Sequence, residues 1–388
     1  MLTPLLVCLI VLLALGAAER LARDRALRAV PIRIHINGTR AKSTVTRLIW
    51  SALAESGVPS IAKTTGTAAR LLLPDRREIP VARRGPANVR EQFALVRLAR
   101  RTGARAAVVE CMAIDPFLQH VTERQMIRAT IGVITNVRLD HTEVMGPDLS
   151  SIAATLANSI PARSVLIVGP SDFTPIFRRR AEAVGTRVVV ADAEGAGRKA
   201  LGGQPPWLRE DIALALAVTR ELGLDDAVAQ RGFARAPQDP GAARRGRAPL
   251  GRGEIAWLDA TAANDPDSLA LLLEDFEPWH EAAGEGARAR PRTLVYHHRP
   301  DRVPRLECFA DHSAAFRSSD HLIVCGSRPP LTVWRRLGRM RTDGGLAFVA
   351  TRELPGWLAT RTSAAMVFCG NTRGLEVPRL FEEAATRG

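Results

Sequence analysis

Lysine is nearly absent from this 388-residue chain: it stands only at Lys42, Lys63 and Lys199, among 54 basic residues. A coding bias that exchanges Lys for Arg explains the shortage, and it makes the lysines that persist worth following. Aromatic residues are scarce too, at 5% with a single tyrosine. That excludes a platform for stacking nucleic-acid bases, so no nucleic-acid partner is expected. The five cysteines, Cys8, Cys111, Cys308, Cys325 and Cys369, include no pair at CxxC spacing. A cysteine-bound zinc is thereby excluded, and their apolar surroundings fit buried thiols in a reducing compartment. Charge is missing altogether from residues 1–18.

That uncharged segment is almost wholly Leu, Val, Ile and Ala. As a helix it would span about 27 Å, close to the ~30 Å hydrocarbon core of a bilayer. Arg20, Arg23, Arg25 and Arg28 follow at once, and positive charge on one flank places that flank in the cytoplasm. A cleaved signal peptide is the rival reading, but no basic residue precedes the apolar run, as such peptides require. The expectation is an uncleaved membrane anchor over 1–18, a basic linker over 19–30 and a cytoplasmic body. The formal net charge of +14 also suits an acidic membrane surface or a polyanion.

The remaining length fits two domains, each able to bury a core. Short apolar runs at 32–36, 106–111, 131–136, 165–168 and 187–191 alternate with helical patterns at 44–56, 89–101, 151–158 and 211–222. Such alternation predicts a parallel sheet covered on both faces. Periodicity fails over 233–253, which is rich in Pro, Gly, Ala and Arg and reads as a linker or domain entry. Strand signals resume at 254–259, 293–296, 320–325 and 365–369, and 281–292 reads as a low-complexity surface loop. The expected plan is α/β: a P-loop-type parallel-sheet ATPase domain over 31–235 and a smaller α/β domain over 236–388, behind a transmembrane helix.

Chemistry concentrates in three segments. The first is Gly38-Thr39-Arg40-Ala41-Lys42-Ser43-Thr44, where a strand ends, a tight loop follows and a helix begins. Backbone N–H groups and a helix N-terminus hold phosphates in such a loop; the Lys reaches the terminal phosphates and the Ser ligates Mg²⁺. The pattern Gly-Thr-x-Gly-Lys-Ser fits, with only Ala41 out of place. The second segment puts Glu110 at the C-terminal end of a buried strand, where open α/β sheets bind ligands. The third places Asn136, Asp140 and His141 after another apolar strand. A glutamate and a histidine converging on a phosphate loop predict a second divalent-metal position.

Together with Ala62 through Arg70 and Ala262 through Ser268, these segments resemble the Mur ligase superfamily, in particular the ligase subunit of bacterial poly-γ-glutamate (capsule) synthases. Cys369 through Gly374 adds a weaker match. The resemblance implies that Lys42 contacts the β- and γ-phosphates of ATP and that Ser43 binds the first Mg²⁺. It implies Glu110 at the metal and γ-phosphate, His141 at the second Mg²⁺, Asp211 where the family places an adenine-reading Asn, and Asp259 at the ribose, followed by Asn264. Three departures stand out: Ala41 replaces a loop glycine, Asp211 replaces Asn, and no lysine lies near Leu156, where many Mur ligases carry a carbamylated one. Only about thirty residues precede the loop, which argues against a nucleotide-sugar-binding domain there.

The expected reaction is stepwise ligation: a carboxylate attacks the γ-phosphate of MgATP, and an amine then attacks the acyl phosphate, with glutamate and a growing poly-γ-glutamate chain as substrates. Lys63, Thr64, Thr65, Arg70, Arg83, Arg84 and Arg90 are the candidates for holding those acidic substrates. Expected partners are the membrane, the membrane subunits of a synthase complex and further copies of the chain itself. A folylpolyglutamate-synthase-like ligase, a nucleotide switch and a non-catalytic scaffold are the alternatives.

Overall fold

The computed structural model describes residues 2–65, 69–83, 85–200, 208–239, 242–250, 253–281, 292–340, 345–360, 364–372 and 374–386. The candidate Arg84, residues 66–68 and 373 of the quoted motifs, and nearly all of the loop expected over 281–292 lie outside them. The chain divides into two compact units, Met1–Asp239 and Pro240–Gly388.

The first unit holds eight strands: β1 (Ile32–Asn37), β2 (Ser60–Thr64), β3 (Arg70–Leu72), β4 (Glu78–Pro80), β5 (Ala106–Glu110), β6 (Ile131–Ile134), β7 (Val165–Val168) and β8 (Arg187–Val190). Their order is β4-β3-β2-β5-β1-β6-β7-β8. Six strands run parallel, and β3 and β4 add an antiparallel edge. The strands β2, β5 and β6 are buried along their whole length, which is why β5 and β6 read as continuous apolar runs rather than alternations; β2, with Ser60, Lys63 and Thr64 among its five residues, gave no such run. From β1 the chain moves toward the β2 side of the sheet, and from its neighbour β6 toward β7. The connections therefore part between β1 and β6, and ligands bind at the carboxyl ends of strands at such a point.

Helix α2 (Lys42–Glu55) follows β1 and packs Val45, Leu48, Ile49, Ala52 and Leu53 into the core against β1, β5 and the helix Arg209–Glu221. Each of the larger ones, Val45, Leu48, Ile49 and Leu53, contributes about 1.5–3 kcal/mol on burial.

Helix α1 runs from Leu2 to Ala29. It is apolar and long enough over Pro4–Ala29 to cross a membrane. The basic segment expected as a linker over 19–30 is thus helical almost throughout. It contains neither Gly nor Pro, and its Ala26 and Leu27 are buried against Val96 of α3 (Glu91–Arg101). Arg33 on β1 closes the helix end, with Nη1 donating to the carbonyls of Leu27 at 3.2 Å and Val30 at 2.7 Å.

The second unit is a six-stranded sheet of β9 (Arg244–Leu250), β10 (Gly253–Ala260), β11 (Arg292–His298), β12 (His321–Gly326), β13 (Gly345–Val349) and β14 (Ala364–Cys369), in the order β13-β12-β11-β14-β10-β9. Only β9 runs antiparallel, paired with β10. This strand lies inside the stretch read from sequence as a linker. As an edge strand it tolerates Pro249, and Gly246 is required because a Cβ there would stand 2.6 Å from the Trp257 ring.

Candidate nucleotide and ligation site

The loop between β1 and α2 is built by backbone geometry. Gly38 has φ +128°, and a Cβ on it would stand 2.0 Å from Thr135 Oγ1, so only glycine fits. Ala41 sits at φ 63° as the N-cap of α2 and supplies no side-chain cap. Three other helices of the unit are closed by aspartate: Asp115, Asp148 and Asp225 each accept the N–H three residues on. An uncapped helix start leaves N–H groups for an anionic ligand, with the helix dipole in support.

Strand β6 supplies the other wall. The Thr39 N–H donates to the Asn136 carbonyl at 3.2 Å and the Thr135 N–H to the Asn37 carbonyl at 2.9 Å. Asn136 Oδ1 accepts from Thr39 Oγ1 at 2.8 Å and from the Arg40 N–H at 3.0 Å. Thr135 Oγ1 donates to the Arg40 carbonyl at 2.6 Å. Lys42 folds back over the loop, its Nζ donating to the carbonyls of Gly38 at 2.6 Å and Thr39 at 3.1 Å.

Glu110, 2% exposed at the end of β5, joins three elements. Its carboxylate accepts from Ser43 Oγ at 2.7 Å, from the Thr65 N–H at 2.8 Å and from Thr65 Oγ1 at 2.7 Å. Thr64 beside it is fully buried with an unpartnered hydroxyl. Ser43, Thr65 and Glu110 therefore meet at one sheet edge. Asp140 pairs with Arg40 at 2.6 Å; burial alone would raise its pKa, and the charges of Arg40, His141 and Lys42 outweigh that and lower it. His141 is the N-cap of the short helix Thr142–Met145 at φ 46°, its Nδ1 lying 3.3 Å from Glu143. The described contacts tie it to the loop through Asp140, not directly to Ser43 or Glu110.

The residues expected to hold acidic substrates are mostly held by the protein's own acids. Lys63 is 1% exposed, and its Nζ lies 3.1 Å from Glu91; burial lowers its pKa despite that partner. Arg83 pairs with the same Glu91 at 2.8 Å. Burial would raise Glu91, but hydrogen bonds from Arg83 and Lys63 prevail and hold it at about 2. Arg70 lies 3.6 Å from Glu78. Arg90 is exposed at the start of α3.

Asp211, in the first turn of the helix Arg209–Glu221, is 8% exposed. Burial raises its pKa well above the carboxylate range, with Glu210 adding to the rise and Arg138 opposing it. Asp259 and Asn264 belong to the second unit. Asp259 Oδ1 accepts from the Thr261 N–H at 3.1 Å and its hydroxyl at 2.7 Å, and burial raises its pKa. Asn264 is half-buried, just before Asp265, which caps the helix Pro266–Glu281 through the Ser268 N–H at 2.8 Å.

Sequence reasoning missed a 480 Å³ cavity at the carboxyl ends of β11 and β12, lined by His297, His298, Arg299, Ser327 and Arg352 among others. His298 is 1% exposed, yet neither ring nitrogen has a partner. The His297 Nδ1 lies 2.7 Å from the Asn371 carbonyl, and Asn371 Nδ2 donates to the His297 carbonyl at 2.8 Å. Burial lowers both histidine pKa values, which favours the neutral rings. The paired His297-His298 at a strand end was the available signal.

Solved folylpolyglutamate synthases share this architecture. The Escherichia coli enzyme in complex with ADP superposes with a TM-score of 0.60 at 18% identity, over 95% of this chain and 92% of that one. The bifunctional folylpolyglutamate synthase/dihydrofolate synthase of Yersinia pestis, complexed with AMPPNP and Mn, gives 0.61 at 15% identity, over 95% and 90%. The protein thus has the two-domain fold of folylpolyglutamate synthases.

A family model described as the poly-gamma-glutamate synthase CapB C-terminal domain matches residues 248–377. The PGA synthase CapB of Bacillus subtilis (strain 168) is 33% identical over 382 residues, 96% of this chain and 95% of that one. The capsule biosynthesis protein CapB of Bacillus anthracis is 36% identical over 332 residues, 84% and 70% of the two chains. This chain belongs to the CapB poly-γ-glutamate synthase family.

Proposed function

We propose that the protein is an ADP-forming ligase that uses MgATP to polymerise glutamate into poly-γ-glutamate, anchored in the cell membrane by α1 with its body in the cytoplasm. The observation that carries this reading is the meeting of Ser43, Thr65 and Glu110 beside Lys42 and an uncapped helix start. Glycine at 38, where a Cβ would collide with Thr135, lets the loop close tightly against the segment after β6. The CapB relatives, named for synthesis of this polymer and of capsule, support the substrate.

The donor set also fits Mg²⁺. No group of three or more His, Cys, Asp and Glu side chains assembles among the described residues. Mg²⁺ needs no such cage, because it binds through one or two carboxylates, substrate phosphates and water. Ser43 and Glu110 would hold it beside the phosphates, with His141 serving a second ion. When bound, the metal offsets charge on the phosphate oxygens.

In this reading, Lys42 leaves the loop carbonyls for the terminal phosphates and offsets the negative charge that builds on the γ-phosphoryl oxygens. A glutamate carboxylate displaces ADP to form an acyl phosphate. The amine of the second substrate then displaces phosphate, forms the amide and releases a proton. Thr65, Thr64 and Lys63 border the γ-phosphate position through Glu110 and suit the donor. Asp211 is assigned to the adenine and Asp259 to the ribose.

The test is ADP release measured with and without glutamate, in wild type and Lys42→Ala. Glutamate-dependent release in wild type and its loss in a folded Lys42→Ala variant are expected. Near-normal release from the variant would sink the phosphate-loop assignment. Glutamate-independent release in wild type would identify a nucleotide switch.

A further inference from the structure

Helix α1 and helix α3 enclose a cavity of 70 Å³ lined by Glu19, Ala22, Arg23 and Ala26 of α1 and by Phe93, Val96 and Arg97 of α3. Its depth follows from helix geometry. At 1.5 Å per residue, these α1 residues lie about 2 to 12 Å beyond Ala18, the end of the uncharged run. The polar headgroup zone of a bilayer extends about 5–8 Å from the hydrocarbon on each side. The cavity therefore overlaps the headgroup layer if α1 spans the membrane, the reading on which this inference rests.

The cavity's chemistry is that of an anion seat with an apolar floor. Arg23 has only a 3.7 Å ion pair with Asp24, and its Nε is buried with no hydrogen-bond partner. Asp24 is drawn the other way, to Arg128 at 3.2 Å. Arg97 is exposed and makes no hydrogen bond or ion pair with any described residue. Glu19 is the one opposing charge on the lining, and it is exposed to solvent. Ala22, Ala26, Phe93 and Val96 make the remaining surface apolar. The volume suits a phosphate group, at about twice the 30 Å³ share of a liquid water.

The seat is also fixed in place. Ala26 and Leu27 are buried against Val96, and Arg33 ties the helix end to β1, the strand that leads into the phosphate loop. The anchor is thus not a loose tether. We propose that the α1–α3 cavity binds the headgroup of an anionic phospholipid, with Arg23 and Arg97 on its phosphate, and so holds the catalytic unit in one orientation on the membrane.

The experiment is native mass spectrometry of the full chain in detergent micelles, supplied with equal phosphatidylglycerol and phosphatidylcholine. Wild type should retain phosphatidylglycerol about fivefold or more over phosphatidylcholine. Arg97→Gln and Arg23→Gln should each bring the ratio to within about twofold, with ATP turnover in detergent unchanged as proof of folding. Arg179→Gln, which removes equal charge from the helix Thr174–Glu182, should keep the preference. No preference in wild type, its survival in both variants, or equal loss in Arg179→Gln would overturn the site. Displacement of the lipid by millimolar inorganic phosphate would show a free-phosphate seat and overturn the lipid assignment. Recovery of the full chain from cells without detergent would instead defeat the membrane reading itself.

Discussion

Ala41 occupies a left-handed backbone position, φ 63°, that costs an alanine roughly 1 kcal/mol relative to glycine. The strain falls at the point where the loop turns into α2, so removing it should favour the conformation that receives phosphate. Ala41→Gly is expected to lower the ATP KM by up to about tenfold, since ~1.4 kcal/mol is one decade, without changing which substrates are used. Steady-state kinetics on both forms decides this. A higher KM would mean that the Ala41 methyl group itself contributes to binding.

Asp211 makes a second argument at this scale. Burial raises its pKa well above the unfolded value, with Glu210 as the lesser cause. The folded state therefore binds this proton more tightly, and stability falls as pH rises from the unfolded value of about 3.9. Asp211→Asn removes the titration. The variant should gain about 1–3 kcal/mol at pH 7, the cost of an unsatisfied buried polar group, and much less near pH 4. Thermal melts at both pH values test the sign. An equal gain at both would exclude ionisation as the cause.

Among the elements, β1 is held from beneath by a buried pair. His35 Nδ1 lies 2.8 Å from Glu123, which sits on a π-helical turn, Thr122–Ile127. Burial alone would lower the His35 pKa, but Cys111 and Glu123 outweigh it and raise it to about 10. The stability this contributes is fully present below about pH 6.5, the unfolded value, and is lost as pH rises to about 10. Wild type should lose up to about 1.4 kcal/mol per pH unit across that window, and His35→Gln should flatten the slope. Denaturant titrations from pH 6 to 10 provide the check. Helix α2 is anchored in a similar way: Arg47, 1% exposed, reaches Glu78 at 2.7 and 2.8 Å and Asp239 at 3.5 Å. Arg47→Ala removes this buried guanidinium from between Glu78 and Asp239 and should cost about 3–5 kcal/mol, measured as a fall in the urea midpoint.

For the whole molecule, the anchor reading predicts where the chain is found. Fractionated cells should hold full-length protein in the membrane, and washing with high salt should not release it, because burial of apolar surface is insensitive to screening. A secreted chain lacking the first eighteen residues would decide for a signal peptide.

The sequence by itself determined the alternation of strands and helices, the tight loop between β1 and α2, and the three strand ends that are followed by or carry Lys42, Glu110 and Asn136. Those features depend on local period and on residue types that a buried strand seldom asks for. The tertiary structure decided what depends on contact. Lys63 gave no sign in sequence that its partner would be Glu91, and Arg83 none that it would share that acid. β9 was hidden because an Arg- and Pro-rich strand has no apolar period, and only pairing with β10 makes it a strand. The linker expected over 19–30 became helix because α3 offered Val96 to its Ala26 and Leu27. Position 41 was flagged by its residue type, but the sign of its φ came from the turn that packs against Thr135 and Asn136, residues nearly a hundred positions away.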